Sequence, residues 1–540
     1  MSRAAAWFDQ IVLDLLRQLR WSFLPPLLIY FAYGVQGITS VAATFFVKEY
    51  LDLEAAFLAG LAFWVGLPWA LKMPLGHLVD LIWRWKYLLI LLGAGLMAAS
   101  YGIIAGLLIL PETMVQIMPA NSWYVTAALL APCGFVLQDV VADAMSVEAI
   151  PHCNADGSTF TEAESRVMHT TMQTLGRITL ISGFSAAAAL NVWLFDGAET
   201  LPQADKGALY AQVYLLALMV PLLSLTGIAV ALLQRMQLGA KLRRIGLSAA
   251  EIQNRLTTPR DPVSVNWWYF IGGGAFVALS LSVGLSEVEQ AQELVFAGSM
   301  IIILLLMRQL IKSLTPQQAR ALIGTAIIIF VYRATPLNGA AATWFEIDAL
   351  GFDQQFLSVL SLISSLLTLF GMVLLRPLIA NNTIAWIITF LALTEALLSL
   401  PNIGLYYGLH NWTAPLTGGL VDARFIALVD TAVESPLGQV AMIPMLAWIA
   451  RNAPNNLKAT FFAVMASFTN LALSASSLGT KYLNQVFVVT REVTDASGQI
   501  TTPADYSNLG ALLITVAVLK LAVPLVTILL VQISPLRSTD

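Results

Sequence analysis

The sequence predicts an all-α polytopic membrane protein, and two observations support that prediction. Of the 540 residues, 58% are hydrophobic and only 11% are charged, which is more apolar surface than one soluble core can bury. Runs of about 20 apolar residues recur along the whole chain, as expected for membrane-spanning helices. A transmembrane barrel would instead show alternating segments of about 10 residues, and the sequence has no such pattern.

The apolar runs predict fourteen transmembrane helices, and an even number places both termini on one side of the membrane. The predicted spans are residues 22–47, 54–80, 87–110, 122–148, 166–195, 209–234, 263–286, 294–312, 318–345, 356–380, 383–401, 421–450, 457–486 and 508–533.

Basic residues give the orientation of these spans. Nineteen of the 28 Lys and Arg residues lie at the end shared with the termini, whereas only Lys48, Lys206, Lys481 and Arg491 lie at the other end. Because cytoplasmic ends carry the excess of basic residues, both termini are predicted to be cytoplasmic, in the inner membrane. Residues 5–20 alternate apolar and polar positions at helical spacing, which predicts an amphipathic helix on the inner membrane face.

The sequence gives no sign of an enzyme, a metal site or a cofactor site. Cys133 lies in an apolar run and Cys153 in a polar loop, and the four histidines have no metal-ligand spacing. No nucleophile–histidine set and no phosphate-binding loop is apparent. The predicted partners are the lipid bilayer and, from the charged residues within the spans described below, a small-molecule solute and protons, with no nucleic acid.

The chain repeats itself at an offset of nearly 300 residues. The stretch FFVKEYLDLEAAFL at 45–58 is similar to WFEIDALGFDQQFL at 344–357, and MQTLGR at 172–177 is similar to MASFTN at 465–470. The spacing of two acids four residues apart also recurs, since Asp139 and Asp143 correspond to Asp430 and Glu434. Three matches in the same order predict a duplicated domain.

The repeat divides the chain into four parts. An N-terminal helix (1–21) is followed by a six-helix bundle (22–236), an inner loop with two central helices (237–317) and a second six-helix bundle (318–540). Parallel repeats of this kind are a known architecture of secondary transporters, which bind their solute between the halves near the bilayer midplane.

The loop after the second span, GHLVDLIWRWKYL at 76–88, resembles the signature motif of the major facilitator superfamily. The matching residues are Gly76, Asp80, Arg84 and Lys86. The resemblance implies a gating latch between the two halves, in which the carboxylate accepts from the positive N-terminus of a helix starting near Asn455. The alternative is a positively charged anchor with no role in gating.

Acids lie within the predicted spans, where a lone charge costs about 3 kcal/mol. Asp139 and Asp143 are four residues apart and share one helix face. Such neighbours titrate as a coupled pair, so we predict that they couple transport to protons, as do Asp430 and Glu434 in the second half.

A structural role is the alternative for these acids. In that case Asp143 and Glu148 would hold the inner helix ends together, through Arg84, Lys86 or Arg166.

Bases also lie within the spans. Arg333 precedes a proline-interrupted stretch, Arg177 follows Gly176, and Lys72 lies between two prolines. Each must face a cavity or an acid, and together they could bind an anionic substrate. Pairing of Lys72 or Arg177 with the first acid pair is the alternative.

Four stretches together resemble the folate–biopterin transporter family of the major facilitator superfamily. They are FFVKEYLDL, GLPWALKMPLGHLVD, LQDVVADAMSVE and PNNLKATFFAVMASFTNLALSASSLGT. The resemblance implies the major-facilitator fold and a proton-driven symport of pterins or folates. Lys48, Lys72, Asp80, Asp139 and Asp143 hold residues of the family's motifs, whereas Lys458 and Met73 depart from them.

The sequence therefore predicts a secondary active transporter that works by alternating access. Two alternatives remain open: a muropeptide-type permease, because such relatives share the third motif, and a non-transporting assembly factor or scaffold. A scaffold would not need three deep bases opposite a deep acid pair.

Overall fold

The computed structural model describes a helical protein over most of its length. The described residues are 19–51, 53–150, 162–246, 248–249, 251, 265, 267–284, 286, 288–312, 314–374, 382–435, 458–494 and 500–537. Residues 1–18, with most of the predicted amphipathic helix, lie outside this part of the chain, as does Asn455. The side chains of Asp80, Arg166 and Lys458 are likewise outside the description.

The first half of the chain forms ten helices in the described residues. They are α1 (Leu24–Val35), α2 (Thr39–Tyr50), α3 (Ala55–Gly66), α4 (Lys72–Leu81), α5 (Tyr87–Ile109), α6 (Pro111–Ile117), α7 (Ala120–Glu148), α8 (Glu162–Leu194), α9 (Gln203–Ala217) and α10 (Met219–Arg244).

Two central helices and a second set of helices follow. They are α11 (Trp267–Gly284), α12 (Ala291–Ile311), α13 (Pro316–Arg333), α14 (Ala340–Asp348), α15 (Gln354–Leu374), α16 (Ile384–Tyr406), α17 (Leu409–Leu416), α18 (Ala423–Glu434), α19 (Lys458–Val486) and α20 (Leu509–Ile533). A short antiparallel pair, β1 (Val493–Thr494) and β2 (Ile500–Thr502), joins α19 to α20.

The all-helical membrane fold is confirmed, because eleven helical segments of the described chain are long and apolar enough to cross a membrane. Their outward faces are apolar: Leu92 is 55% exposed, Leu397 63% and Leu530 57%. Lipid accepts such side chains, whereas water would not. Eleven segments do not establish the predicted number of fourteen, which stays a prediction.

Local sequence signals explain where several helices begin. Thr315 and Gln318 form a reciprocal capping box at the start of α13, with Pro316 at its first position. Asp422 accepts from the Phe425 N–H at 2.8 Å at the start of α18. These side chains satisfy backbone donors that a helix start leaves unpaired.

Proline and glycine interrupt the span that contains α13 and α14. Pro336 cannot continue a helix, and Gly339 has φ +71°, a conformation that side chains rarely adopt. Helix α19 satisfies the freed backbone groups: the Leu337 N–H donates to Thr480 Oγ1 at 2.9 Å, and Ser476 Oγ donates to the Thr335 carbonyl at 2.7 Å. Arg333 therefore lies at the end of a half-helix.

A small-residue face brings α1 and α8 into close contact. A Cβ atom on Gly34 would lie 1.9 Å from the Leu180 carbonyl oxygen and 2.8 Å from the Gly183 Cα. Only glycine fits at such a crossing, as is common between membrane helices.

The two halves meet along two helix pairs, α8 against α15 and α3 against α19. The central helices pack beside the second pair. Gln292 of α12 donates to the Gly60 carbonyl of α3 at 3.1 Å, and Lys481 of α19 pairs with Glu293 of α12 at 3.1 Å. The central helix α12 therefore contacts both halves.

The bundle has two ends, which we name by residues. The Lys48 end carries Lys48 and Asp348, where α2 and α14 finish. The Lys86 end carries Lys86 and Glu148, where α5 starts and α7 finishes.

Candidate functional site

An ion cluster lies where α4 begins beside α7. Lys72 Nζ is 2.6 Å from Asp139 Oδ2 and 2.7 Å from Asp143 Oδ2. The Tyr30 hydroxyl of α1 donates to Asp143 Oδ1 at 2.6 Å. Two carboxylates thus share one ammonium group, so the cluster has one surplus negative charge when both carboxylates are ionised.

The sequence places these groups together for two reasons. A 3₁₀ stretch at Leu67–Leu71, with Pro68 at its start, precedes Lys72 and sets its direction. The four-residue spacing of Asp139 and Asp143 puts both on one face of α7. The side chains are partly exposed, with 25% for Lys72, 12% for Asp139 and 40% for Asp143, so the cluster borders open space.

Aromatic rings line the region next to this cluster. The Tyr33 ring lies 5.8 Å from the Trp69 ring and 5.3 Å from the Phe135 ring, in tilted and edge-on geometry. Asn470 of α19 donates to the Trp69 carbonyl at 3.3 Å. Residues from both halves therefore approach this aromatic group, which sequence reasoning did not identify.

Two guanidinium groups, one from each half, interact electrostatically. Arg177 on α8 is exposed, and it interacts electrostatically with Asp139 and with Arg333. Arg333 Nη1 is buried and has no hydrogen-bond partner among the described residues. Neither arginine forms an ion pair within the described part of the chain. Such like charges repel, and an anion between them would remove the repulsion.

The second half contains its own group of buried acids. Asp430 Oδ2 accepts from Asn402 Nδ2 at 2.9 Å, whereas its Oδ1 is buried without a partner in the described structure. Tyr332 donates to Glu395, and Lys520 interacts electrostatically with Glu434. The predicted acids Asp430 and Glu434 thus lie together on α18, away from the Lys72 cluster.

The residues of the predicted gating latch contact their own half. Lys86, only 2% exposed, pairs with Glu148 of α7, and its Nζ lies 3.5 Å from the centre of the Trp83 ring. Arg84 is exposed, and a Cβ on Gly76 would meet nothing within 4 Å. The side chain of Asp80 lies outside the described structure, so the proposed contact between halves stays a prediction.

The Lys48 end joins the two halves through an ion pair that the sequence did not reveal. Lys48 of α2 pairs with Asp348 of α14. Asp348 also accepts from the Tyr506 hydroxyl at 2.5 Å and from the Glu492 N–H at 3.2 Å. Both of these donors belong to the segment that contains β1 and β2.

Arg491 reinforces that closure from the same segment. Its guanidinium donates to the carbonyls of Lys48 at 2.9 Å, Leu53 at 2.7 Å and Leu51, and lies 5.2 Å from the Trp344 ring. The arginine is 5% exposed. A lone arginine in a polar loop gave no sequence signal, because its partners are backbone atoms of the other half.

Two further contacts close the same end. Gln354 Nε2 donates to the Tyr210 hydroxyl at 2.7 Å, and Gln355 Nε2 donates to Asp196 Oδ1 at 2.9 Å.

Near these contacts, burial raises the pKa of Asp353, but hydrogen bonds from the Phe356 N–H and the Arg424 guanidinium outweigh the effect of burial and leave that pKa below its ordinary value. Asp353 is therefore ionised at neutral pH.

The described residues contain no group of His, Cys, Asp and Glu side chains arranged to hold a metal ion. Acids and bases of both halves lie within the helical bundle, and the halves are held together at the Lys48 end.

Comparisons with known proteins agree with this geometry. The profile of the BT1 family matches residues 213–538. The folate-biopterin transporter of Synechocystis sp. is 22% identical over 464 residues, which cover 84% of this chain and 72% of that protein. Putative folate transporter 2 of Plasmodium berghei is 27% identical over 167 residues, covering 30% of this chain and 34% of that protein.

Solved structures share the fold. A POT family transporter in complex with 5-aminolevulinic acid has a TM-score of 0.62 at 13% identity, over 95% of both chains. The nucleoside transporter NupG has a TM-score of 0.53 at 12% identity, over 94% of this chain and 99% of its own.

Proposed function

Because the chain belongs to the BT1 family, the folate-biopterin transporters of the major facilitator superfamily, we propose that it carries an anionic pterin- or folate-like solute in symport with protons. The solute would bind between the two halves and reach either side of the membrane by alternating access. A role as an assembly factor is disfavoured, because a scaffold has no use for two arginines, one from each half, that form no ion pair in the described structure.

One observation carries the proposal for an anionic solute. Arg177 and Arg333 come from opposite halves, repel each other and lack an ion-pair partner in the described structure. Lys72, which the sequence also suggested for the solute, has its charge balanced by Asp139 and Asp143. We therefore assign the solute anion to the two arginines, since guanidinium groups bind carboxylates in a bidentate manner.

The Lys72 cluster supports proton coupling. With two carboxylates for one ammonium group, a proton can bind to one acid while Lys72 keeps the other as a partner. Binding and release of that proton would change the net charge beside Arg177, which interacts with Asp139. This gives the proton and the anion a direct electrostatic linkage.

The closure of the Lys48 end supports alternating access. The ion pair of Lys48 with Asp348 and the hydrogen bonds of Arg491 hold the halves together there. Because most basic residues lie at the opposite end, we place the Lys48 end of this inner-membrane protein on the side away from the cytoplasm. The solute would then exchange with the cytoplasm from the Lys86 end in this conformation.

The anion assignment is tested with purified protein and two probes, folic acid and biopterin. Arg333→Ala removes a charge-assisted contact worth about 1.5–3 kcal/mol, so the Kd for folic acid should rise about 10- to 100-fold. Biopterin carries no carboxylate and should lose much less affinity. Isothermal titration calorimetry in detergent measures both.

The matched control is Arg243→Ala, which removes an exposed arginine at the end of α10. It should leave both affinities unchanged. Equal affinity of Arg333→Ala and the unmodified protein for folic acid would remove Arg333 from the solute site.

A further inference from the structure

We propose that Glu346 and Asp430 form a second proton-binding site, in the second half of the protein, with the proton shared through water in a small cavity. The inference rests on the proposed proton symport and adds Glu346, a residue with no role in it so far. It implies that more than one proton moves with each solute.

Glu346 lies on the short helix α14, between the break after Arg333 and the Lys48 end. Its carboxylate is partly buried and has no hydrogen bond or ion pair with the described residues, although it interacts electrostatically with Asp430. A carboxylate that leaves water without a basic partner is costly. It therefore either takes up a proton or binds water.

Asn402 contacts one of the two acids and shares a cavity with the other. Its side chain lines the same cavity as Glu346 and donates from Nδ2 to Asp430 Oδ2 at 2.9 Å. Asp430 is only 7% exposed, and its Oδ1 has no partner in the described structure. An unpartnered buried oxygen is rare in proteins, and a proton on this carboxylate would remove the cost of burying its charge.

The cavity is suited to water. Its volume is about 50 Å³, and it is lined by Asn338, Glu346 and Asn402 among apolar residues of α14, α16 and α20. A buried water needs roughly 10–15 Å³ by this kind of measure, together with two or more polar partners. Asn338 Oδ1 is a further buried acceptor without a described partner. The cavity can thus hold water that joins Glu346 to the Asn402–Asp430 pair.

The charged neighbours leave these two acids without a base. Asp430 is next to Glu434 on α18, and Glu434 in turn faces Glu395 of α16 and Lys520 of α20. The Glu395 carboxylate accepts from Tyr332 of α13. Lys520 interacts with Glu434, Lys48 is paired with Asp348, and Arg424 is paired with Asp353. Arg491 donates to three backbone carbonyls of the first half. A proton is then the cation that neutralises the Glu346–Asp430 site.

The place of Glu346 on α14 gives such a proton a means to influence transport. Asp348, two residues further on, forms the ion pair that closes the Lys48 end, and Arg333 precedes the same helix. A change in charge at Glu346 acts on a nine-residue helix that connects the solute site to the closure.

The first test detects the proton without any solute. Infrared difference spectra of the purified protein, recorded as pH rises, should show loss of a protonated-carboxyl C=O band. Glu346→Gln or Asp430→Asn should remove or shift that band, whereas Asp139→Asn and the exposed-site control Glu112→Gln should retain it. An identical titrating band in wild type, Glu346→Gln and Asp430→Asn would overturn the assignment.

The second test counts protons in proteoliposomes with the membrane potential held at zero. For a pH gradient of about one unit, each coupled proton contributes about tenfold to the limiting accumulation of folic acid. Glu346→Gln should lower that limit about tenfold while exchange of folic acid across the membrane without a gradient continues. An unchanged limit, or an accumulation that requires Na⁺ instead of a pH gradient, would contradict a proton at this site.

The two tests separate this inference from the proposed function. Absence of folic acid and biopterin transport by the wild-type protein would reject the proposed solute. The infrared band would still decide whether Glu346 and Asp430 hold a proton.

Discussion

At the scale of single residues, the lysine and the two arginines within the spans differ in their partners. Lys72 has two carboxylate partners, whereas Arg177 and Arg333 have none within the described structure. An ion pair in a membrane protein avoids the cost of an isolated charge, so Lys72 needs no solute to balance its charge. The unpaired arginines keep their capacity to bind an anion.

The Lys72 cluster predicts a specific effect of Asp139→Asn. Lys72 keeps Asp143 at 2.7 Å, so the fold should be retained and the melting temperature should change by only a few degrees. The surplus negative charge is lost, so uptake of folic acid driven by a pH gradient should fall about tenfold or more. Uptake into proteoliposomes and thermal unfolding measure the two effects.

The matched control for this variant is Asp205→Asn, at an exposed acid in the first turn of α9. It should transport like the unmodified protein. If Asp139→Asn kept a dependence on the pH gradient as steep as that of wild type, Asp139 would have no part in coupling.

At the scale of elements, irregular segments position most of the polar contacts. The break between α13 and α14 exists because Pro336 and Gly339 cannot continue the helix, and Ser476 and Thr480 of α19 satisfy the freed groups. Discontinuous helices of this kind are typical of transporter solute sites. The segment between α19 and α20 crosses to the other half and holds α2 and α3.

The contacts of Arg491 predict that Arg491→Ala opens the Lys48 end. Each lost hydrogen bond to a buried carbonyl costs about 1–3 kcal/mol, and three carbonyls lose their donor. Amides of residues 45–58 should therefore exchange with deuterium about tenfold faster or more. Mass spectrometry of peptic peptides measures the exchange.

Arg244→Ala, which removes an exposed arginine of α10, is the control and should leave that exchange unchanged. The same rate in Arg491→Ala as in wild type would show that the ion pair of Lys48 with Asp348 closes this end alone.

At the scale of the whole molecule, the described polar contacts between the halves cluster at the Lys48 end. An alternating-access cycle requires them to break so that the solute can leave on that side. Glycine crossings such as Gly34 with Gly183 lie within one half, so they would keep that half rigid during such a cycle.

A crosslink across the Lys48 end should stop transport. Asp196 and Gln355 are hydrogen-bonded across the halves at 2.9 Å. Asp196→Cys with Gln355→Cys, in a background with Cys133→Ser and Cys153→Ser, can be bridged by a short reducible bis-thiosulfonate reagent. Uptake of folic acid should fall to background after bridging and return when dithiothreitol releases the bridge.

The single-cysteine variants treated with the same reagent are the controls and should keep their uptake. Transport that continued in the fully bridged double variant would mean that this end does not open during the cycle.

The sequence by itself determined the membrane-embedded helical fold and the family that the chain resembles. Hydrophobic runs and motif residues are local properties, so they can be read without a structure. The two-stranded pair after α19 is likewise a local feature, since both strands lie within ten residues of the chain.

Only the tertiary structure decided the partners of those charges. Lys72 could have faced a solute or an acid, and packing of α4 against α7 placed it between Asp139 and Asp143. Likewise, Lys48, Asp348 and Arg491 are far apart in sequence, and only the docking of the two halves brings them together. The physical reason is that an ion pair depends on distances of a few ångströms across separate helices, and no local pattern in the chain encodes those distances.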